Sequence, residues 1–361
     1  MPAFNGQLRP NSIFAALFNM IISQQVFADN IAGTEAQLVS KARVDGTLYG
    51  DTKLYYSTQT LYSAEWGKDA EAANLLQLHR PKAPEVQAIV MDKYRQIKLT
   101  IDNYLTKQAW IDEGSFASFN AVMLGWMGDT KRVYDSTTYN AFFGTAVGAT
   151  AAQTYEIALS DITQTGEEGN RLKAQTIAAR IADLLDELED IHTVYNDYGH
   201  LRSYDRGAIN IVWNKKWLNT ITKLDLPTIF HDDGIMEKFS EGLNAKYFGE
   251  INADATAGNG TTVRSLIEQF VPLTAGGGDP VHVFAGQLIP TTCTAPAGTS
   301  YTQDDDVICK VFVKYPPMMS AFSVGTSFFN AASLTENHYL TWGHNTLEYL
   351  KNYPFITVHA D

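Results

Sequence analysis

The sequence predicts an α+β fold, with a strand-rich segment near its start, long helices in the middle and a return to strands at its end. Three observations support this fold class. Residues 44–63 alternate in character and show little helical periodicity, whereas residues 167–192 carry apolar side chains at helical spacing. Residues 208–213 form an apolar run broken only by Asn210, which is typical of a strand buried on both faces.

The composition indicates a protein with a large core and an acidic surface. The chain has 361 residues, and its 27 Lys and Arg against 40 Asp and Glu give a net charge of −13. This charge argues against a surface that binds phosphate groups throughout. The 18 Tyr, 18 Phe and 6 Trp suit either a well-filled core or extensive protein–protein contacts. Cys293 and Cys309 are compatible with one disulfide, although two free thiols in a reducing compartment are the default expectation.

The first predicted element is an amphipathic helix over Ile13–Ile22, capped by Asn11 or Ser12. This segment is much shorter than the roughly 20 apolar residues that a membrane span requires. It also lacks the basic leader and cleavage site of a secretory signal. The expectation is therefore a soluble cytoplasmic protein that does not contact membranes.

The next predicted element is a long β-ribbon over residues 41–104. Its outgoing part contains Leu48, Leu54, Tyr56 and Leu61, and its returning strand places Ile97, Leu99 and Ile101 on one face. A mixed tip that contains Pro81 and Pro84 joins the two strands. Because such a ribbon has too little core of its own, it needs another surface to lie on.

Two helical regions are predicted in the middle of the chain. Residues 115–147 form two helical pieces, with Ser115 as the N-cap and a break around Gly128 and Asp129. Residues 167–192 form the clearest helix, whose apolar stripe consists of Leu172, Ile177, Ile181, Leu184, Leu185, Leu188 and Ile191.

The second half begins with the predicted buried strand over residues 208–213, which ends before Lys215 and Lys216. A short amphipathic helix over residues 217–226 follows it. The Gly-, Ala- and Thr-rich segment 252–300 predicts surface loops. Further strands are predicted in VICKVFVKYP, in NHYLTWGHNTLEYL as one strand or a pair, and in PFITVHA.

A search for chemistry finds no catalytic residues, no cofactor site and no metal site. His338 and His344 lie in an aromatic strand and are expected to be polar residues of a half-buried sheet. The acidic stretches 231–234 and 304–306 lack the ligand pattern of a calcium loop. The Gly-rich stretches match neither a dinucleotide fingerprint nor a P-loop, and no GxSxG elbow is present. One enzyme hypothesis remains, a soluble α+β enzyme with its site at the strand end beside Lys215 and Lys216.

Three blocks of the sequence carry a resemblance to a known family. They are residues 94–127 with 133–147, residues 167–190 with 207–221, and residues 307–360. Their order resembles the major capsid proteins of tailed bacteriophages, which have the Hong Kong 97-type fold, and is most similar to those of short-tailed phages. The first block is similar to the returning ribbon strand and spine helix, the second to the axial domain, and the third to strands that cross into the peripheral domain.

The resemblance implies a domain organisation. Residues 1–40 would form an N-terminal arm and residues 41–104 the extended ribbon loop. Residues 105–165 and 318–361 would form the peripheral domain with its long spine helix, and residues 166–317 the axial domain. The end of the chain at Asp361 predicts no additional immunoglobulin-like domain.

The resemblance also implies a structural protein, not an enzyme, without a cofactor. Copies would assemble into hexamers and pentamers of an icosahedral head shell around double-stranded DNA, which is held without sequence-specific contacts. The implied partners are other copies, a portal protein, and scaffolding or decoration proteins; the chain would be assembled in the host cytoplasm and located in the virion. Contacts between subunits are predicted at Leu54, Tyr56, Leu61 and Trp66 of the ribbon. The alternative within the same fold is an encapsulin-like shell protein of a cellular nanocompartment, which encloses enzymes instead of DNA.

Overall fold

The computed structural model describes residues 36–45, 51–63, 78, 80–102, 113–144, 153–222, 241–252 and 300–361, with four short strands between residues 262 and 288. The predicted N-terminal helix over Ile13–Ile22 lies outside these residues. The α-helices are α1 (Ala36–Ala42), α2 (Glu113–Gly144), α3 (Gly166–Glu189) and α4 (Lys215–Thr222). None of the helices among the described residues has the length and apolarity that crossing a membrane requires.

Sixteen strands are described. In the first part of the chain they are β1 (Arg43–Asp45), β2 (Thr52–Ser57), β3 (Glu85–Asp102), β4 (Thr154–Ile157), β5 (Asn210–Asn214), β6 (Gly242–Leu243), β7 (Gly249–Asn252) and β8 (Thr262–Val263). The remainder are β9 (Gln269–Val271), β10 (Val281–Val283), β11 (Gln287–Leu288), β12 (Ser300–Gln303), β13 (Val307–Phe312), β14 (Met318–Asn330), β15 (Thr335–Asn345) and β16 (Phe355–Ala360).

A five-stranded sheet in the order β4-β16-β13-β5-β6 has apolar layers on both faces. From β5, Ile211 and Trp213 pack into the layer that contains the buried stripe of α3. Val212, between them, faces the opposite layer, which contains Phe142 and Phe143 of α2. Since successive side chains of a strand point to opposite faces, a strand covered on both sides must be apolar throughout. The predicted buried strand is therefore confirmed.

Helix α3 confirms the predicted helix over residues 167–192, with one correction at its end. Ile177, Ile181, Leu184, Leu185 and Leu188 are buried against the sheet. The helix ends at Glu189, because Asp190 adopts an extended backbone conformation. Ile191 therefore lies beyond the helix with 71% of its surface exposed, and its assignment to the apolar stripe was wrong.

Helix α2 is continuous, so the predicted break at Gly128 and Asp129 was wrong. Within this part of the helix, the hydroxyl of Thr130 donates to the carbonyl of Trp126 (2.7 Å). Asp129 also forms an ion pair with Arg132, one turn away (2.6 Å). A single glycine costs a helix only about 1 kcal/mol, which these local contacts and the burial of the C-terminal turns offset. The helix begins at Glu113, so Ser115 lies within its first turn instead of capping it.

The second five-stranded sheet has the order β1-β14-β15-β3-β2. Strand β3 begins at Glu85, directly after Pro84, so the returning strand of the ribbon is longer than the stretch around Ile97, Leu99 and Ile101. The aromatic segment near the end forms the single strand β15 and not a pair. Strand β14 had no counterpart among the predicted strands.

The Gly-rich region after Asn252 contains short strands that pair in a nested arrangement. Strand β7 pairs with β12, β8 with β11, and β9 with β10, all antiparallel. The three pairs are therefore nested in chain order, with β9 and β10 innermost and β7 and β12 outermost. Cys293 lies outside the described residues, whereas Cys309 is a buried free thiol in β13 whose pKa burial raises.

Residue contacts group the described residues into two units. The larger comprises residues 36–95, 134–323 and 341–361, and the smaller comprises residues 96–133 and 324–340. Within the larger unit, β4 and β16 belong to the same sheet as β5 and β13. That sheet thus combines strands from both the predicted peripheral and axial domains, and the domain boundaries stay a prediction.

Two glycines of α2 provide a matched test of its packing. A Cβ at Gly128 meets no atom within 4 Å, whereas a Cβ at Gly144 would overlap the backbone carbonyl of Tyr247. We expect Gly128→Ala to raise the free energy of unfolding by about 0.5–1 kcal/mol, because alanine restricts the unfolded chain. Gly144→Ala should lower it by about 1–3 kcal/mol, because the backbone must shift. Urea denaturation measures both, and a destabilised Gly128→Ala variant would contradict a continuous helix.

Lys310 in β13 predicts an unusual dependence of stability on pH. Its side chain is fully buried with Nζ 4.4 Å from the ring centre of Phe355, and burial lowers its pKa to about 7. The unfolded chain, with an ordinary lysine pKa, binds the proton between pH 7 and about 10 while the folded chain does not. The free energy of unfolding should therefore rise with pH across this window, by at most about 1.4 kcal/mol per pH unit.

Lys310→Met should remove this slope between pH 7 and 9 and stabilise the protein most at pH 7. The control is Lys98→Met, since Lys98 of β3 is exposed. Equal slopes for the wild type and Lys310→Met in urea denaturation would show that the lysine remains protonated in the folded protein.

Candidate subunit-contact surface

The ribbon presents one buried and one exposed face. Its two strands pair antiparallel, with Leu54 opposite Ala88 and Tyr56 opposite Val86. Because directly opposed residues point to the same side of a sheet, these four side chains lie on one face. Leu54 and Tyr56 are 51% and 60% exposed, and Val86 is also exposed. The outer face of the ribbon is thus apolar and accessible.

The inner face of the ribbon packs into the larger unit. Ile89 and Met91 of β3 form a buried cluster with Met319 and Leu350, against which Tyr55 of β2 also packs. This cluster fixes which face of the ribbon points outward, because a shift by one residue would exchange the two faces.

Polar contacts hold the ribbon beneath its exposed face. The buried side chain of Gln87 donates from Nε2 to the carbonyl of Tyr349 (2.9 Å) and accepts at Oε1 from the backbone N–H of Lys351 (2.9 Å). At the end of β2, Arg202 donates to the Ser57 hydroxyl (2.9 Å) and to the carbonyl of Thr58 (2.9 Å). The side chain of Gln59 accepts from the backbone N–H of Leu201 (3.1 Å). These bonds attach the ribbon at two separate points.

The structure brings together two of the four residues predicted for subunit contacts. Leu54 and Tyr56 are neighbours on the outer face of β2. Leu61, which is 79% exposed, lies beyond the strand in irregular backbone, and Trp66 lies outside the described residues. The role of all four in subunit contacts stays a prediction.

The outer face contains further apolar residues that sequence reasoning missed. Val86 and Val90 of β3 are exposed on the same side as Tyr56 and Leu54. They were missed because the returning strand was placed too late in the chain. The alternation in EVQAIVM after Pro84 is the signal that could have revealed them.

The strand end that suggested an enzyme site is used for local packing. Asn214 accepts a hydrogen bond from the backbone N–H of Lys216 (3.0 Å) at the start of α4. The ammonium group of Lys216 is paired with Asp305 (2.9 Å) at an exposed position. Trp217 donates its indole N–H to the carbonyl of Asp305 (2.9 Å), which ties α4 to the segment before β13. Among the described residues, no group of three or more His, Cys, Asp or Glu side chains is placed to hold a metal ion.

His344 of β15 forms hydrogen bonds inside the second sheet. It is buried, and its Nε2 lies 2.9 Å from the hydroxyl of Tyr134 in α2. Its Nδ1 lies 2.8 Å from the carbonyl oxygen of Asn345. Because a carbonyl can only accept a hydrogen bond, Nδ1 carries the proton. Burial is the main cause that lowers the pKa of this imidazole. The sequence predicted a polar residue of a half-buried sheet here, and the structure places His344 in a sheet at a buried position.

Comparisons with known proteins identify the fold. No family model matches the sequence, and no curated protein matches it either. A chain in the capsid structure of Staphylococcus phage Andhra is similar over 93% of this chain and 87% of its own, with a TM-score of 0.62 and 9% identity. The chain has a phage capsid fold.

A second solved structure agrees with this assignment. A chain in the structure of the head fiber and inner core protein gp22 of native bacteriophage P68 covers 93% of this chain, with 86% of its own length matched, a TM-score of 0.62 and 10% identity. The α+β class predicted from the sequence is confirmed, and so is the similarity to phage capsid proteins in fold. The closer similarity to short-tailed phages stays a prediction.

Proposed function

We propose that this chain is the major capsid protein of a tailed bacteriophage. Its copies assemble into hexamers and pentamers of an icosahedral head shell that encloses double-stranded DNA. The observation that carries this proposal is the phage capsid fold over 93% of the chain. The apolar outer face of the ribbon supports it, because exposed apolar patches mark surfaces that bind other proteins.

In this proposal the ribbon supplies a main contact between subunits. Leu54, Tyr56, Leu61 and Trp66 bind a neighbouring copy, and Val86 and Val90 extend the same surface. A patch on one copy that binds a different patch on the next generates a closed ring when the rotation between copies closes, as hexamers and pentamers require. The domain organisation is the one predicted, with an N-terminal arm (1–40), a ribbon loop (41–104), a peripheral domain (105–165 and 318–361) and an axial domain (166–317).

The remaining parts of the proposal concern the partners and the location of the protein. The shell includes a portal protein and is assembled with scaffolding or decoration proteins in the host cytoplasm. The net charge of −13 suits a wall that does not bind the packaged DNA tightly. The assembled protein is located in the virion, in our proposal that of a short-tailed phage.

Negative-stain microscopy of the protein purified from its native source tests this function. We expect hollow spherical particles of uniform size whose absorbance spectrum shows nucleic acid. Particles that contain enzymes and no DNA would instead identify a cellular nanocompartment. A chain that remains monomeric at high concentration would contradict both shell functions.

Substitutions on the ribbon test the contact surface itself. The double variant Leu54→Ser and Tyr56→Ser should reduce the yield of particles by about tenfold or more, since each side chain loses on the order of 1–2 kcal/mol of burial in every contact. The fold of the subunit should be retained because both side chains are exposed, and circular dichroism of the unassembled fraction checks this. The matched control is Leu54→Met with Tyr56→Phe, which keeps the apolar surface and should assemble normally. An undiminished yield from the serine variant would remove the ribbon face from the interface.

A further inference from the structure

One of the groups that attach the end of β2 is a buried hydroxyl. Ser57 Oγ lies 2.8 Å from Nδ1 of His200, and Nη2 of Arg202 donates to the same oxygen (2.9 Å). Ser57 and His200 are both buried. The imidazole and the guanidinium therefore both contact one oxygen atom, that of Ser57, which is the last residue of β2.

Counting protons at this oxygen assigns the state of His200. A guanidinium group can only donate, so Arg202 occupies one lone pair of Ser57 Oγ. The hydroxyl proton of Ser57 then needs an acceptor, and Nδ1 of His200 is placed to receive it. His200 is therefore neutral, with its proton on Nε2. The opposite arrangement would leave a buried hydroxyl proton unpaired, which costs about 1–3 kcal/mol.

The charges around His200 oppose its protonation. Arg202 lies on the same segment, and the charges of Lys82, just before β3, and Glu85, its first residue, also act on the imidazole. Glu85 is the one acidic group among these three, and it is paired with Lys82 (3.4 Å). The ring of Tyr198 lies 5.6 Å from the imidazole. Burial first, then Arg202 and Lys82, lower the pKa of His200 below the ordinary value of 6.5.

Protonation of His200 would weaken this attachment. With a proton on Nδ1, His200 would become a donor to the second lone pair of Ser57 Oγ, so two cations would meet at one neutral oxygen. The hydroxyl proton of Ser57 would lose its acceptor in a buried site, and Arg202 would face a second positive charge. Each of these changes weakens the contacts that hold Ser57 and Thr58.

The segment that carries His200 is held independently of the ribbon. Asn196 accepts from the backbone N–H of His200 (2.8 Å) and donates to its carbonyl (2.9 Å). His192 and Arg202 are joined by two backbone hydrogen bonds (3.0 and 2.9 Å). The residues around His200 are thus fixed to one another by hydrogen bonds that do not involve β2.

We propose that His200 is a pH-sensitive latch that holds the end of β2 at neutral pH and releases it on protonation. This inference deepens the proposed function, since it concerns control of the ribbon that would bind the neighbouring copy. The direction follows from the proton balance. Below pH 6.5 the released or unfolded segment binds a proton that the latched state excludes, so the latched state loses stability as the pH falls.

Hydrogen exchange of the full-length chain, followed by mass spectrometry, tests the latch. Protection of the β2 amides (52–57), normalised to those of β13 (307–312), should fall by about tenfold between pH 7.5 and pH 5.0. This range lies above the ordinary pKa values of the carboxyl groups. His200→Asn places a neutral acceptor near the position of Nδ1 and should keep β2 protected at both pH values. His338→Asn, which replaces a histidine near Glu336 (3.8 Å) in β15, should behave as the wild type.

Three outcomes would overturn the latch. One is a β2 protection ratio in the wild type that does not change with pH. Another is an equal loss of protection in His200→Asn. The third applies even if that variant does not fold: nitrogen NMR of wild-type histidines that shows His200 protonated on Nδ1 at pH 7.5, or titrating at or above pH 6.5.

The test separates the latch from the proposed function. Hydrogen exchange at β2 reports on the latch whether or not the chain forms particles. Release of β2 in a chain that never assembles would support the latch and contradict the capsid function, whereas particles without pH-dependent release would do the reverse.

Discussion

The packing of α2 and α3 depends on the sheet β4-β16-β13-β5-β6, because the two helices cover its opposite faces. Every residue of β13 is buried, and the two faces of the sheet pack against different helices. On one side lies the stripe of α3, and on the other lie the last turns of α2, where Phe143 meets the rings of Phe312 and Phe355 edge-on. Because neither face of this sheet meets solvent, its strands do not alternate between apolar and polar residues. It even encloses the ammonium group of Lys310 above the ring of Phe355, where desolvation opposes its charge.

The ribbon is the opposite case, since it has only one face to bury. Two strands cannot form a core of their own, so Ile89 and Met91 pack inward and the polar side chains of Ser57 and Gln87 secure the ribbon by hydrogen bonds. The outer face, with Leu54, Tyr56, Val86 and Val90, does not contribute to this packing. Four exposed apolar side chains on one face cost solubility and add little to the stability of the subunit. Their placement is understandable if another molecule covers them, and in the proposed shell a neighbouring copy would be that molecule.

The features that the sequence predicted are those with strong periodicity. The run 208–213 and the stripe of α3 were predictable because burial on two faces and on one helical face leave distinct patterns in the sequence. Gly128 was misinterpreted because the local cost of one glycine is smaller than the tertiary packing of the turns that follow it. Ile191 continues the helical spacing past the true end of α3. That end is set by the extended backbone conformation of Asp190. The burial of Lys310 could not be predicted, because VICKVF is compatible with a lysine at an exposed edge until the neighbouring strands are known.

The candidate surface was partly predictable, because its residues could be recognised in the sequence but could not be assigned to a face of the ribbon. Leu54 and Tyr56 stand out as large apolar residues two positions apart, but sequence alone does not assign them to the inner or the outer face. That assignment depends on Ile89 and Met91 of the opposing strand and on the register that pairs Leu54 with Ala88. Ser57 lies more than 140 positions from the other two latch residues, His200 and Arg202, so no local pattern connects it to them.

An identity of 9–10% with the two similar structures limits what the fold can explain. At this level, two chains share a fold but few individual side chains. The chemistry on the exposed face and at the base of the ribbon must then come from the residues of this chain itself. If copies assemble, their contacts depend on the apolar face opposite Ile89 and Met91, and the orientation of that face depends on how firmly Ser57 and Gln87 are held. In such an assembly, the few hydrogen bonds beneath the ribbon would link the stability of the subunit to the geometry of its contacts.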